Sequence, residues 1–371
     1  MDTDFLFFLI FLFGSIVILV AIIVLVLKAA RKLGKKEISL SRHHKNPVLS
    51  PSTHAGWEGV GTFNPAAVMD DAGRVHIVYR AVGTDGLSSF GYAVSEDGSN
   101  FSDKSPYPIF AMYNPGSGKS LDGLEHTFNP VMYPSGGSWG GCEDPRMVRL
   151  EGKIYLTFNA FDGWDYIRMA VSSINEEDFF NRKWKWGKPM LISSPGEIHK
   201  NWVLFPEKID GKFAILHSIS PEVQIDYVDR LEDLSMGNKK ITSRFGQKTP
   251  RKSWDSWLRG AGAPPIRTSR GWLLLYHATG NGESGYRLGA MLLDLKDPRK
   301  VLAQSRGPIL VANEWYENDW KPGVVYACGA VIKDDELFVY YGGGDKHVCV
   351  AHTSLQKLLD SLDTTLNFKY T

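Results

Sequence analysis

The sequence predicts an all-β fold, a five-bladed β-propeller preceded by one N-terminal transmembrane helix. Three observations carry that expectation. A hairpin plan recurs five times along the chain, "NPAAVMDDAGRVHIVYRA" from Asn64, "DPRMVRLEGKIYLTFNA" from Asp144, "FPEKIDGKFAILHSI" from Phe205, "APPIRTSRGWLLLYHA" from Ala263 and "CGAVIKDDELFVYYGG" from Cys328. Each copy has a small or Pro-containing entry, an apolar strand, a tight turn and a second strand. The turns read "AG", "EG", "DG", "RG" and "DD", which is hairpin chemistry. Before all of this, Phe5 to Leu27 form an apolar run without a charged residue.

Each element follows from local chemistry. A helix rising about 1.5 Å per residue over that run spans a bilayer core of about 30 Å. The start is acidic (Asp2, Asp4) and Lys28, Arg31, Lys32, Lys35 and Lys36 follow. A cleaved signal peptide has the opposite order. The positive-inside rule places the basic flank in the cytoplasm. The expectation is therefore a single-pass membrane protein with an anchor over residues 1–27, a basic linker over 28–43, and a cytoplasmic propeller domain over 44–371. "SLQKLLDSL" from Ser354 has helical spacing and predicts a short closing helix.

After three of the hairpins a third strand is readable in "SSFGYAVSEDG", "YIRMAVSS" and "YRLGAMLLD". A fourth is expected before each next copy. The later copies recur about every 60 residues, the size of a four-stranded blade with long loops. Aligning the copies makes Asn64, Asp144, Phe205, Ala263 and Cys328 equivalent at the inner strand, so a single carboxylate stands in that ring. A second ring, at the ends of the second strands, holds Arg80, Asn159, Ser218, Ala278 and Gly342.

Composition narrows the chemistry. With 42 Lys and Arg against 41 Asp and Glu, the charge is balanced, which argues against a nucleic-acid partner. The abundant aromatics, 11 Trp, 15 Tyr and 19 Phe, favour strands and also line sugar sites. The 3 cysteines, Cys142, Cys328 and Cys349, match no zinc spacing and read as reduced thiols. No metal site or organic cofactor is expected. "GGCEDPRMVRL" sets Glu143 and Asp144 where a glycine-rich run enters a strand, as either a solvated turn or an acid catalyst.

The motifs "NPVLSP", "FNPAAV", "VYRA", "GCEDPRMV", "LFPEKIDGKF", "GAPPIRTSRGWLLLYH", "GAMLLDLKDP" and "CGAV", in this order over residues 44–353, resemble glycoside hydrolase family 130, the β-mannoside phosphorylases and related β-mannosidases. The resemblance implies a five-bladed propeller and makes Asp144 the acid, protonating the glycosidic oxygen through the mannose 3-hydroxyl. It implies phosphate binding by Arg80 of "VYRA", Arg168 of "YIRMA" and Lys200 of "IHKNW". Inorganic phosphate is then a co-substrate beside a β-mannoside oligosaccharide. Phosphorolysis needs a proton donor but no carboxylate base, because phosphate is already an anion; a basic cluster takes the base's place. The alternatives are an inverting β-mannosidase using water and a non-catalytic mannoside-binding propeller.

Further candidates are open to two readings. Glu143 either binds sugar hydroxyls or pairs with Arg146. His217 and His277 end inner-type strands, as ligand contacts or as hydrogen-bonded core histidines. Asn64 stands at the inner ring, and Asp345 in "YGGGDKH" lies near a channel end where it could bind sugar. Trp57, Trp254, Trp257 and Trp320 are stacking candidates. Ser88-Ser89, Ser218 and Gly323 depart from the family pattern at positions that shape the acceptor side.

Overall fold

The computed structural model describes residues 13–20, 22–23, 38–112, 138–161, 167–244, 247–282 and 285–364. The chain divides into two units, Met1–Ile38 and Ser39–Thr371. In the first, residues 13–20 and 22–23 are helical. The single-pass membrane protein expected from the sequence is not supported. Among the described residues no helix is long and apolar enough to cross a membrane. Residues 13–20 rise about 12 Å, against a bilayer core of about 30 Å. Of the remainder of the apolar run, 5–12, 21 and 24–27 lie outside the described residues. The cytoplasmic placement rested on that span and is withdrawn with it.

The second unit is mostly β. Its described strands form five antiparallel meanders. The first runs Gly61–Met69, Val75–Val82, Leu87–Ser95, and the second Gly140–Leu150, Lys153–Phe161, Ile167–Asn175. The third runs Val203–Leu204, Phe213–Ser218, Gln224–Val228, and the fourth Trp257–Ala261, Gly271–Thr279, Arg287–Leu293. The fifth runs Val325–Lys333, Glu336–Gly343, His347–Ser354. Short outer strands follow in places, as at Asp103–Lys104, Met190–Leu191 and Val301–Gln304. Ser41–Arg42, inside the segment read as linker, pairs antiparallel with the last strand of the fifth meander. Leu355–Ser361 is helical, and the Ser354 hydroxyl accepts the Lys357 N–H at its start.

The turn dipeptides explain the hairpins. Glu151-Gly152, Asp210-Gly211 and Asp334-Asp335 each put two consecutive residues at positive φ. Type I′ turns require this, and their twist matches that of the strands they join.

The cores lie between successive meanders. One packs the first against the second through Val78, Phe90, Cys142 and Phe158. Val148, Met169, Trp202 and Phe213 join the second to the third. Phe205, Leu216, Trp272 and Leu274 join the third to the fourth. The fifth packs against the first through Val331, Tyr340, Val75 and Tyr79.

Candidate active site

Two of the inner strands are broken by the residues that the repeats align. Pairing steps from Phe63 to Ala66 across from Arg80 and Val78, and from Glu143 to Arg146 across from Asn159 and Thr157. Each bulge puts an Asx-Pro pair opposite one residue, which re-aims the side chain. Asn64 and Asp144 consequently adopt φ of 49° and 50°. Left-handed backbone at a non-glycine residue costs on the order of 1–3 kcal/mol, and Asn and Asp tolerate it best.

The bulges aim both side chains at each other. Asn64 Nδ2 donates to Asp144 Oδ1 at 2.7 Å. Arg80, in the neighbouring strand, donates from Nη1 to the same oxygen at 3.3 Å. Its Nη2 serves Glu143 Oε1 and Ser138 Oγ, both at 2.8 Å, and its Nε serves Ser88 Oγ at 3.0 Å. The guanidinium thus bridges the two adjacent carboxylates and is fully buried. Lys200 Nζ lies 3.9 Å from Glu143 Oε2.

Arg146 is buried and directs its donors at protein groups. It donates to the carbonyls of Asp144 (2.8 Å) and Gly262 (3.2 Å) and to Asn201 Oδ1 (2.9 Å). Burial would raise the Asp144 carboxyl. The cations of Arg80 and Arg146, the Asn64 amide and Lys200 more than offset this and hold it below the ordinary carboxylate value.

Asp144 opens on a cavity of about 710 Å³ to which all five meanders and their loops contribute. Asn64 and Arg80 come from the first meander and Asp144 from the second. Lys200, Asn201, His217 and Ser218 belong to the third. Trp257, Arg259 and Tyr286 come from the fourth, Tyr326 and Asp345 from the fifth, and Lys321 from the loop between those two. Asp345 Oδ2 pairs with Lys321 Nζ at 3.1 Å.

Of the residues singled out in the sequence, Asn64, Arg80, Asp144, Lys200, His217 and Asp345 line this cavity, and Glu143 and Arg146 stand directly behind Asp144. Arg168 is not among the lining residues; its Nε donates to the Ser193 carbonyl at 2.7 Å. His277 is also off the cavity wall. Its Nε2 accepts the Ala327 N–H at 2.9 Å, and its ring stacks on Tyr326 with centroids 3.9 Å apart. Burial and the Arg146 charge push His277 down to about 3, so it is a neutral core histidine at working pH. His217 is oriented by Ser243 (2.8 Å) and Asp226 (3.1 Å). Trp257 reaches the cavity, while Trp254 packs on Tyr276. Gly323, with φ of 80°, and Gly285 approach each other backbone to backbone.

Sequence reasoning missed Asn201, Arg259, Lys321, Tyr286 and Tyr326. Asn201 is a junction: its Oδ1 accepts from Arg146 and from Tyr326 (2.6 Å), and its Nδ2 donates to the Arg259 carbonyl (3.1 Å). Its φ of 64° is left-handed, a conformation that asparagine tolerates better than most residues.

Gly342 supports the pair from behind. A Cβ there would lie 2.1 Å from Asn64 Oδ1 and 2.8 Å from Asn64 N. Gly342→Ala is expected to push Asn64 off Asp144, lowering kcat and costing about 1–3 kcal/mol of stability. Steady-state rates together with denaturant unfolding check this, and wild-type values for both would show that the contact is slack.

A family model described as "beta-1,4-mannooligosaccharide phosphorylase", glycoside hydrolase family 130, matches residues 39–364. This chain belongs to glycoside hydrolase family 130. A 1,2-β-oligomannan phosphorylase of Thermoanaerobacter sp. (strain X514) is 36% identical over 85% of this chain and 97% of its own length. A β-1,2-mannobiose phosphorylase of the same organism is 34% identical over 86% and 98%. The solved complex of β-1,2-mannobiose phosphorylase from Listeria innocua with β-1,2-mannobiose covers 88% of this chain and 99% of that one, at TM-score 0.64 and 22% identity, a likeness of fold. Among the described residues of this family 130 chain, no group of three or more His, Cys, Asp or Glu is placed to hold a metal ion.

Proposed function

We propose that this chain is an inverting phosphorylase that converts a β-1,2-linked mannoside and phosphate into α-mannose 1-phosphate and a free acceptor sugar. The observation that carries the reading is Asp144, an inner-strand carboxylate on a cavity bearing Lys200 and Arg80, in a chain more than one-third identical to 1,2-β-oligomannan phosphorylase. Membership of family 130 supports phosphorolysis, and the two relatives named for β-1,2 substrates support that linkage.

In this reading Asp144 is the acid and delivers its proton through the mannose 3-hydroxyl. Asn64 and Arg80 orient it. Lys200 and Arg80 supply the positive charge that receives phosphate in the cavity; the resemblance of "YIRMA" implies Arg168 for the same anion, which would require its guanidinium to turn from the Ser193 carbonyl toward the cavity. Asp345 and His217 meet sugar hydroxyls, and Glu143, buried behind the cavity wall, sets the environment of Asp144 by holding Arg80; Arg146 fixes the bulge that carries the acid, and His277 braces Tyr326. Phosphate is the co-substrate. The catalytic body over 44–371 is a five-bladed propeller, a form supported by the five meanders, the cores between neighbours and the cavity to which all five contribute. The basic segment 28–43 leads into it and ends in the strand that joins the fifth meander.

The test is incubation with β-1,2-mannobiose and β-1,4-mannobiose, with and without phosphate. The expected product is mannose 1-phosphate, from the β-1,2 substrate, only when phosphate is present. Free mannose at full rate in phosphate-free buffer would identify a hydrolase and sink the assignment. A preference for the β-1,4 substrate would overturn the linkage alone.

A further inference from the structure

The two oxygens of Asp144 are not equivalent. Oδ1 accepts both the Asn64 amide and the Arg80 guanidinium. Oδ2 makes no hydrogen bond to any described residue, on a side chain that lines the cavity. A general acid must carry a proton before the glycosidic bond breaks. Oδ2 is the oxygen with room for one.

No described neighbour is suited to supply that proton. Arg80, Arg146 and Lys200 face Asp144 as cations and favour its ionised form. Glu143 is engaged by Arg80 and Ser138, and Asp345 by Lys321. His277 is held neutral. Burial pushes the Tyr286 and Tyr326 hydroxyls upward and the Cys328 thiol up to about 12, so none of them releases a proton at neutral pH. The resting site is therefore an acid site holding a carboxylate.

Phosphate changes that balance. An anion entering between Lys200 and Arg80 takes up the positive charge that stabilises the carboxylate. It also sets a second negative group in the same cavity. Two anions sharing a partly dehydrated site favour a shared proton, because one of them is driven toward its neutral form.

We propose that Asp144 is loaded by its own co-substrate: phosphate enters as the dihydrogen monoanion and passes one proton to Asp144 Oδ2. The inference rests on the phosphorylase reading. The balance closes. Dihydrogen phosphate and the carboxylate become monohydrogen phosphate and the carboxylic acid. A phosphate oxygen then donates an electron pair to the mannose C1 from the face opposite the acceptor. The C1–O bond to the acceptor breaks, its pair stays on the acceptor oxygen, and that oxygen takes the proton of Asp144 through the substrate hydroxyl. The products are the mannose 1-phosphate monoanion, the acceptor alcohol and Asp144 again as carboxylate. No other acid is consumed. Without phosphate the acid is unloaded, so water in the cavity meets a site that cannot release the leaving group.

Infrared difference spectroscopy of the full chain, with inorganic phosphate minus without, tests this at neutral pH. The expected result is a new protonated-carboxyl C=O band with loss of a carboxylate band, both absent in Asp144→Asn. A band already present without phosphate would mean that solvent loads the acid. A band surviving in Asp144→Asn would move the proton to another carboxyl. No band at phosphate concentrations that support turnover would leave Asp144 ionised in the complex. Each of these three overturns the proposal. Release of mannose 1-phosphate, assayed on the same sample, separates the two readings: product without the band defeats loading alone, and no product defeats the phosphorylase assignment itself.

Discussion

Asp144→Asn is expected to lower turnover of a β-mannobiose by about 10²- to 10⁴-fold, the range that general acid catalysis contributes. The substitution is close to isosteric. Its side-chain oxygen can still accept from Asn64 and Arg80, and asparagine tolerates the φ of 50° that the bulge imposes. Folding should therefore survive, and the loss should fall on kcat. The defect should depend on the leaving group. A mannobiose expels a poor alkoxide and needs the full proton, whereas an aryl β-mannoside expels a stabilised phenolate and needs little of it. The ratio of wild-type to variant rate should shrink toward unity on the aryl substrate. Near-normal turnover of mannobiose by a folded variant would assign the acid elsewhere, and Glu143, buried beside it, is the first place to look.

How much of this site was legible in the sequence differs from residue to residue. The repeat alignment paired Asn64 with Asp144, and the pairing reflects real geometry: both are bulge residues at matching places in successive meanders. What alignment could not reveal is that they touch, since 80 residues separate them and the hydrogen bond forms only when the first two meanders pack. Arg80 was readable as a cation near the acid. Its bridging of Glu143 and Asp144 was not, because the charge pairing within "EDPR" points locally to Arg146, whose donors go instead to carbonyls and Asn201. Asn201, Tyr326 and Lys321 carried no local signal strong enough to select them, as each reaches the site from another meander or a loop. The apolar N-terminal run shows the reverse hazard. Its hydropathy is a strong local signal, yet among the described residues no membrane-crossing helix accompanies it.

The second large effect is expected at Arg80. Arg80→Leu removes the one guanidinium that bridges Glu143 and Asp144 and leaves two adjacent carboxylates buried together. Breaking a buried pair by deleting one partner costs about 3–5 kcal/mol, most of it from the charge left behind. The pH dependence has a definite sign. In the wild type Asp144 titrates below its unfolded value, so its ion pair stabilises fully above that value and is lost as pH falls through the lower folded one. In Arg80→Leu the first of the cations that offset burial is gone, while Arg146, the Asn64 amide and Lys200 remain, so the folded carboxyl titrates higher than in the wild type. The variant therefore draws less stability from ionising Asp144 as pH rises. The deficit relative to wild type should be largest at neutral pH and should shrink on acidification toward the ordinary carboxylate range. Denaturant unfolding of both proteins across that range measures it. Changing Glu143 to Gln in the Arg80→Leu background should recover part of the loss, because one of the two stranded charges disappears. A constant deficit at every pH would show that Arg80 stabilises by packing on Phe63, whose ring lies 4.9 Å below the guanidinium, rather than by holding the two carboxylates.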